Sequence, residues 1–245
     1  VTATITGSTV TADGDIRLTA SDTAPSLIPD WIVPDTDDDG DTSTPTIKGQ
    51  LEKALSGSPI ELTANILAVS VNVSGSGTAA VSASLMGNDI TNRVAVDIDR
   101  STVRAGVDAS GAVTAPDADV SLAALSDAGI VSLTVGVGGS GTVAVDATGF
   151  GNVITNTVEA RILGGSMAEA SGAISLTAQD QSSIRSVGLS IAGSGTVAAS
   201  VIAAANVIVN SVVAEIAGST VDSGSALNLS ASNTSDVLSL TTGVA

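Results

Sequence analysis

A block that occurs three times limits the folds open to this sequence. Gly75-Ser76-Gly77-Thr78, Gly139-Ser140-Gly141-Thr142 and Gly193-Ser194-Gly195-Thr196 are each followed by Asn-x-Ile-x-Asn, at Asn88/Ile90/Asn92, Asn152/Ile154/Asn156 and Asn206/Ile208/Asn210. Gly77, Gly141 and Gly195 stand 64 and 54 residues apart, and the extra residues of the first interval fit within Val103 to Ala124. A unit recurring at such a period buries its apolar face by stacking on copies of itself.

Within each block, short alternating runs rich in Val, Ile and Thr are cut by Gly, Ser and Asp, which is the pattern of strands joined by tight turns. Val158, Ala160 and Ile162 precede Gly164-Gly165-Ser166, and Ile174, Leu176 and Ala178 follow it. The opening VTATITGSTVTADGDIRLTASD matches this second half, with Gly7-Ser8-Thr9 where Gly218-Ser219-Thr220 stands later. The chain is therefore expected to open and close mid-repeat, as a segment of a longer array or a subunit that continues into a neighbour. It divides into the second half of a repeat over 1–24, an insertion over 25–62, and repeats over 63–124, 125–178 and 179–245. The insertion holds Pro25, Pro29, Pro34 and Pro45, Trp31, both lysines and a short helical pattern from Ile47 to Leu55.

The expected fold is all-β: a parallel β-helix, or β-solenoid, built from repeats of about 54 to 64 residues with two or three coils each, stacked about 4.8 Å apart. Its interior must be thin, because the 245 residues include no Tyr and only Phe150 and Trp31 as large aromatics. The alternation places Ile154, Asn156, Val158, Ala160 and Ile162 on the inward face and Thr155, Thr157, Glu159 and Arg161 on the outward one, and residues 141–150 divide likewise. The asparagines share the inward parity and are expected to tie turn backbone. Ladders between equivalent asparagines are not expected, since two or three coils would separate them. A β-sandwich array is the competing fold.

The absences prune the chemistry. With no His and no Cys there is no imidazole acid–base group, no thiolate and no zinc site of the usual N/S kind. Eight scattered basic residues against 25 acidic ones, for a net charge of −17, argue against nucleic acid and against anionic membranes as partners. Gly136, Gly138 and Gly141 spell G-x-G-x-x-G, but TVAVDATG follows them and reads as strand, not helix. The pairs Asp97/Asp99 and Asp117/Asp119 have glycosidase-like chemistry available, yet no aromatic side chain accompanies them to hold a sugar ring, so they read as solvated strand surface.

One run carries a metal signal. Asp35, Asp37, Asp39 and Asp41 alternate in D-x-D-x-D-G-D, the start of a calcium loop, with Gly40 at the sharp turn. The twelfth position is Thr46 instead of Glu, so Asp30 or Glu52 would have to replace the bidentate ligand. These four aspartates are the candidate calcium ligands, and the competing reading is a solvated acidic loop.

The succession GSGTVAV, NVITNTVEA, a Gly-Ser turn and AISLTAQD resembles the repeats of large secreted bacterial filamentous adhesins of the leukotoxin and filamentous-haemagglutinin type. The resemblance covers everything outside the insertion. It implies a right-handed parallel β-helix in an extracellular or cell-surface fibre and carries over no catalytic residue. The expected function is a non-enzymatic structural or adhesive module, acting through rigid length and presented surface. Its partners would be further repeats or identical subunits end to end, and a host or cell-surface receptor. The alternative is a calcium-assisted carbohydrate-active β-helix enzyme.

Overall fold

A computed structural model describes residues 1–25 and 63–245. The described residues form sixteen strands and no helix. In chain order these are β1 (Thr2–Thr6), β2 (Thr9–Ala12), β3 (Ile16–Thr23) and β4 (Ile66–Ser76); then β5 (Ala79–Asp99), β6 (Thr102–Ala105), β7 (Val120–Asp127) and β8 (Gly129–Ser140). They continue with β9 (Val143–Leu163), β10 (Met167–Ala170), β11 (Ile174–Asp180) and β12 (Ser183–Ser194), and end with β13 (Val197–Ile216), β14 (Thr220–Ser223), β15 (Leu227–Asn233) and β16 (Asp236–Val244). Each strand pairs in parallel with the strand four places later, giving four sheets of four strands: β1-β5-β9-β13, β2-β6-β10-β14, β3-β7-β11-β15 and β4-β8-β12-β16.

A repeat therefore contributes one strand to each sheet. The expectation of two or three coils per repeat is corrected: β5 and β9 run for 21 residues each, so the short alternating runs that suggested several coils belong to single long strands. The pairing is parallel throughout the named strands, unlike the antiparallel ladders of a β-sandwich.

Register locates the irregularities. Thr102 pairs with Met167, 65 residues on, while Val120 pairs with Ile174, 54 residues on, so eleven residues are added between β6 and β7. Ile16 pairs with Val120 at an offset of 104 and Ile66 with Ile130 at 64, so forty residues are added between β3 and β4. The helical pattern from Ile47 to Leu55 lies outside the described residues.

In-register stacking converts the repeat into rows of like residues. Ile5, Ile98, Ile162 and Ile216 form one row, and Leu18, Leu122, Leu176 and Leu229 another. The first three sheets turn these rows toward one another, and Val94, Val96, Ile98, Val103, Leu122, Val158, Ile162 and Leu176 are fully buried in one cluster. Each such aliphatic side chain contributes about 1.5–3 kcal/mol. Val158, Ala160 and Ile162 point inward as the alternation predicts, with Thr157, Glu159 and Arg161 outward.

The fourth sheet does not close this core. It faces the N-terminal halves of β5, β9 and β13, which run on beyond the three-sheet core to form a two-sheet arm. A small apolar cluster of Ile66, Ile90, Ile130, Ile154, Ile184 and Ile208 closes the arm's base.

Candidate functional site

Gly-Ser-Gly-Thr, the anchor of the repeat, forms the tip of the arm, where β4 passes to β5, β8 to β9 and β12 to β13. Gly141 and Gly195 let successive tips approach closely, since a Cβ on Gly195 would lie 2.6 Å from the carbonyl oxygen of Gly141. From that tip the two sheets run back toward the core with side chains facing each other.

What they enclose is polar. Asp146, Asn152, Ser132, Thr134, Ser186 and Ser190 are buried between the sheets. The Asp146 carboxylate accepts hydrogen bonds from the hydroxyls of Ser82, on the repeat before, and Ser190, on the facing sheet of the repeat after. Glycine supplies the room: a methyl at Gly136 would collide with the Asp146 carboxylate, and one at Gly188 with the ring of Phe150. Thr134 and Thr148 bury hydroxyls that have no hydrogen-bond partner.

The asparagines correct a second expectation. The amide of Asn88 donates to the Oδ1 of Asn152, and Asn152 donates to the Oδ1 of Asn206, both at 2.7 Å. This is a continuous ladder, possible because equivalent residues are adjacent strands and not several coils apart. Asn152 and Asn206 also donate across the arm to the hydroxyls of Ser132 and Ser186, each at 3.0 Å. The second asparagine of each motif turns to a carboxylate where arm and core meet. Asn92 donates to Asp22, while Asn156 and Asn210 both donate to the buried Asp180. A serine ladder ties another corner: Ser8, Ser101 and Ser166 each donate a backbone N–H to the hydroxyl of the next repeat's serine, at 3.1–3.2 Å.

The outer face of the arm is the reverse of its interior. On β4, Leu67, Val69, Val71 and Val73 point outward while Ala68, Ser70, Asn72 and Ser74 point in. Register carries the outward positions across the fourth sheet in rows, such as Val69–Leu133–Val187–Leu240 and Val73–Val137–Ile191–Val244. All four rows are Leu, Val or Ile except for Arg185 and Thr242. Val71 is 66% exposed, Val73 72% and Leu240 60%. The expectation of apolar residues inside and Ser, Thr or Asp outside thus fails in the arm. Both parities are occupied by residues small or short enough to face a neighbouring sheet, so alternation distinguishes two faces there without saying which is inner.

Charge is concentrated on the outside of the three-sheet core. Arg161 of β9 bonds the Asp97 carboxylate of β5 at 2.9 and 3.2 Å and also reaches Glu159 at 2.8 Å. The hydrogen bonds to Asp97, and then the charges of Asp97 and Glu159, hold its guanidinium above the ordinary arginine value. Arg104 pairs with Glu169 and Arg93 with Glu159, both at 2.5 Å. Arg161, Arg104 and Arg93 each join one repeat to the next, the first two in part-buried pairs and Arg93 in an exposed one of the kind that contributes only about 0–1 kcal/mol.

The carboxylates singled out in the sequence are thereby accounted for in part. Asp97 is held by Arg161 and Asp99 by Arg100, while Asp119 accepts the backbone N–H of Ala173. Asp35, Asp37, Asp39 and Asp41, with Asp30, Thr46 and Glu52, lie outside the described residues. Among the described residues no group of three or more acidic side chains is placed to hold a metal ion. The inverted arm is the feature that residue-by-residue reading missed. Its signal was a change of phase: the aliphatic residues are odd-numbered at Val131, Leu133, Val135, Val137, Val143 and Val145, and even-numbered at Ile154, Val158, Ala160 and Ile162. Compared with protein-family models, with curated proteins and with solved structures, the chain matches none of them.

Proposed function

We propose that this chain is a β-solenoid segment of a long secreted or cell-surface filament, a non-enzymatic module that works by rigid length and presented surface. The observation that supports this most is the strand-by-strand register, in which each repeat adds one strand to each of four parallel sheets. Such a stack grows by about 4.8 Å per repeat without altering its cross-section. Its outermost strands, β13 to β16, offer unpaired backbone groups to a further repeat or an identical subunit, the partner that open sheet edges ordinarily recruit. The ladders of serine and asparagine, repeated in place, fit a role in which stiffness along the stack matters more than a cleft. The resemblance of the repeats to those of filamentous adhesins supports the same reading.

Calcium belongs to the proposal through sequence alone. Asp35, Asp37, Asp39 and Asp41 would bind it at extracellular strength, with a dissociation constant on the order of 10⁻⁴ to 10⁻³ M. Calorimetry checks this, and no heat at millimolar calcium removes the metal while leaving the filament reading intact. The filament itself is tested by negative-stain imaging and fibre diffraction of the native material. Fibres of constant width with a meridional repeat of about 4.8 Å are expected, and compact particles with no axial repeat would overturn it.

A further inference from the structure

The outer face of β4-β8-β12-β16 has no occupant among the described residues, and parallel sheets are characteristically covered on both faces. The geometry points to a second copy of this chain as the cover: two molecules pack this face against itself about a two-fold axis. The inference stands on the face alone and does not depend on the filament reading.

Three properties select a second copy. The first is area. Four strands about 4.8 Å apart and about nine residues long at about 3.3 Å each give a face of roughly 19 by 30 Å. A pair would therefore remove on the order of 1,200 Å² from water, which reaches the range of stable interfaces. The second is shape. Leu67 and Leu238 on the edge strands, with Val131, Leu133, Val187 and the paired Arg185, line a groove of about 290 Å³, which an aliphatic row of a facing sheet can fill. Sheets packed in this way interdigitate at about 10 Å. The third is charge. The molecule carries −17, yet the face has one charged outward position, Arg185, bonded to Asp236 at 2.7 Å. A surface free of unmatched charge is complementary to itself, as a two-fold contact requires, whereas a cationic partner would meet one carboxylate here, Asp236, and that one already bonded to Arg185.

The chain has no cysteine, so single cysteines report the contact cleanly. Sedimentation velocity of the full chain is expected to show a concentration-dependent dimer that tightens as salt rises, because salt screens the repulsion between two acidic molecules while leaving aliphatic contact in place. Val69→Asp, on an exposed edge-strand position 58% accessible and so without effect on folding, should weaken the dimer roughly a hundredfold. Leu133→Cys should form a disulfide-linked pair on mild oxidation, and Thr177→Cys, on the outside of the three-sheet core, should not.

A chain that stays monomeric at about 100 μM, where a useful interface of this size is populated, would overturn the proposal. So would a dimer indifferent to Val69→Asp. A monomer in which the thiol of Leu133→Cys resists alkylation would mean that the same chain covers its own face, and a monomer that instead adsorbs to neutral lipid vesicles would mean that the face meets a membrane surface. Either result also overturns it, and neither bears on the axial repeat expected in fibres.

Discussion

The three-sheet core and the two-sheet arm are built from the same strands and obey opposite rules. Along β9, Val158, Ala160 and Ile162 are buried in the core with Glu159 and Arg161 outside, yet twelve residues before Val158 the buried position of the same parity is Asp146 and the outward neighbour is Val145. Three converging sheets enclose an interior filled by Val, Ile, Leu and Ala, so the hydrophobic effect assigns the faces. Two opposed sheets leave a slot. Serine, glycine, asparagine and aspartate fit a slot, and because equivalent residues stack in register, Asn88, Ser82 and their equivalents find partners on the next strand or the facing sheet, while Thr134 and Thr148 do not. Asn88–Asn152–Asn206 and Ser82–Asp146–Ser190 satisfy buried polar atoms that would otherwise cost about 1–3 kcal/mol each. The aliphatic side chains displaced from the slot line the arm's outside.

The sharpest way to break this contrast is to place a charge in each region. Val158→Asp puts an unpaired carboxylate into the aliphatic core and should cost about 4 kcal/mol or more, unfolding the neighbouring repeats. Thr157→Asp, one residue away on the outer face, should stay within about 0.5 kcal/mol. Chemical denaturation of the two variants is the measurement, and equal sensitivity would dissolve the assigned faces.

The reverse experiment puts grease into the slot. Asn152→Leu is hydrophobic and of similar size, so it would be neutral if the arm merely needed filling. It removes three hydrogen bonds, however: the ladder contacts to Asn88 and Asn206 and the cross-arm bond to Ser132. A loss of about 2–4 kcal/mol is expected from denaturation. A gain in stability would show that the ladder is incidental. Thr148→Val refines the same point in the other direction, because the Thr148 hydroxyl is buried without a partner. Its removal should stabilise by about 1 kcal/mol; if Thr148→Val instead destabilises, an internal water completes the slot.

Much of this architecture was legible in residues alone. The period, the strands, the turn at each Gly-Ser-Gly-Thr and the inward course of Ile154 to Ile162 follow from spacing and alternation. The number of strands per repeat was not, because a strand of 21 residues and a succession of short strands share the same period of two. The arm's polarity was hidden for a related reason. Alternation fixes that Val145 and Asp146 face opposite ways, but the choice of inner face depends on the sheet that lies opposite, which is set by residues 44 positions later at Ser190. The aspartates at 35–41 remain a motif whose ligands are known only by spacing.

The smallest expected effect compares a loop with its counterparts in other repeats. Between β6 and β7 the chain takes residues 106–119, where the equivalent turns are Asp13–Asp15 and Ser171–Ala173. Asp108 organises the longer loop: its Oδ1 accepts the Ser110 hydroxyl at 2.7 Å and the backbone N–H groups of Ser110 and Ala112 at 2.8 and 3.0 Å. The Ser110 hydroxyl first, and then these two N–H groups, hold the carboxyl below its ordinary value of 3.8. A carboxyl depressed in the folded state contributes stability that is present in full above the unfolded value and is lost as the pH falls through the lower folded one. The loop should therefore keep its order down to pH 3.8 and loosen below it, while the Ser171–Ala173 turn, which carries no carboxylate of its own, does not follow the same titration. Amide resonances of Ser110 and Ala112 followed by NMR from pH 5 to pH 2 should share a midpoint below 3.8, and Asp108→Asn should abolish it. A midpoint at or above the ordinary value would mean that the three hydrogen bonds do not persist in solution, and that the loop is shaped by its backbone contacts, among them the Val107–Val113 bridge and the bond from Thr114 N–H to the Gly106 carbonyl.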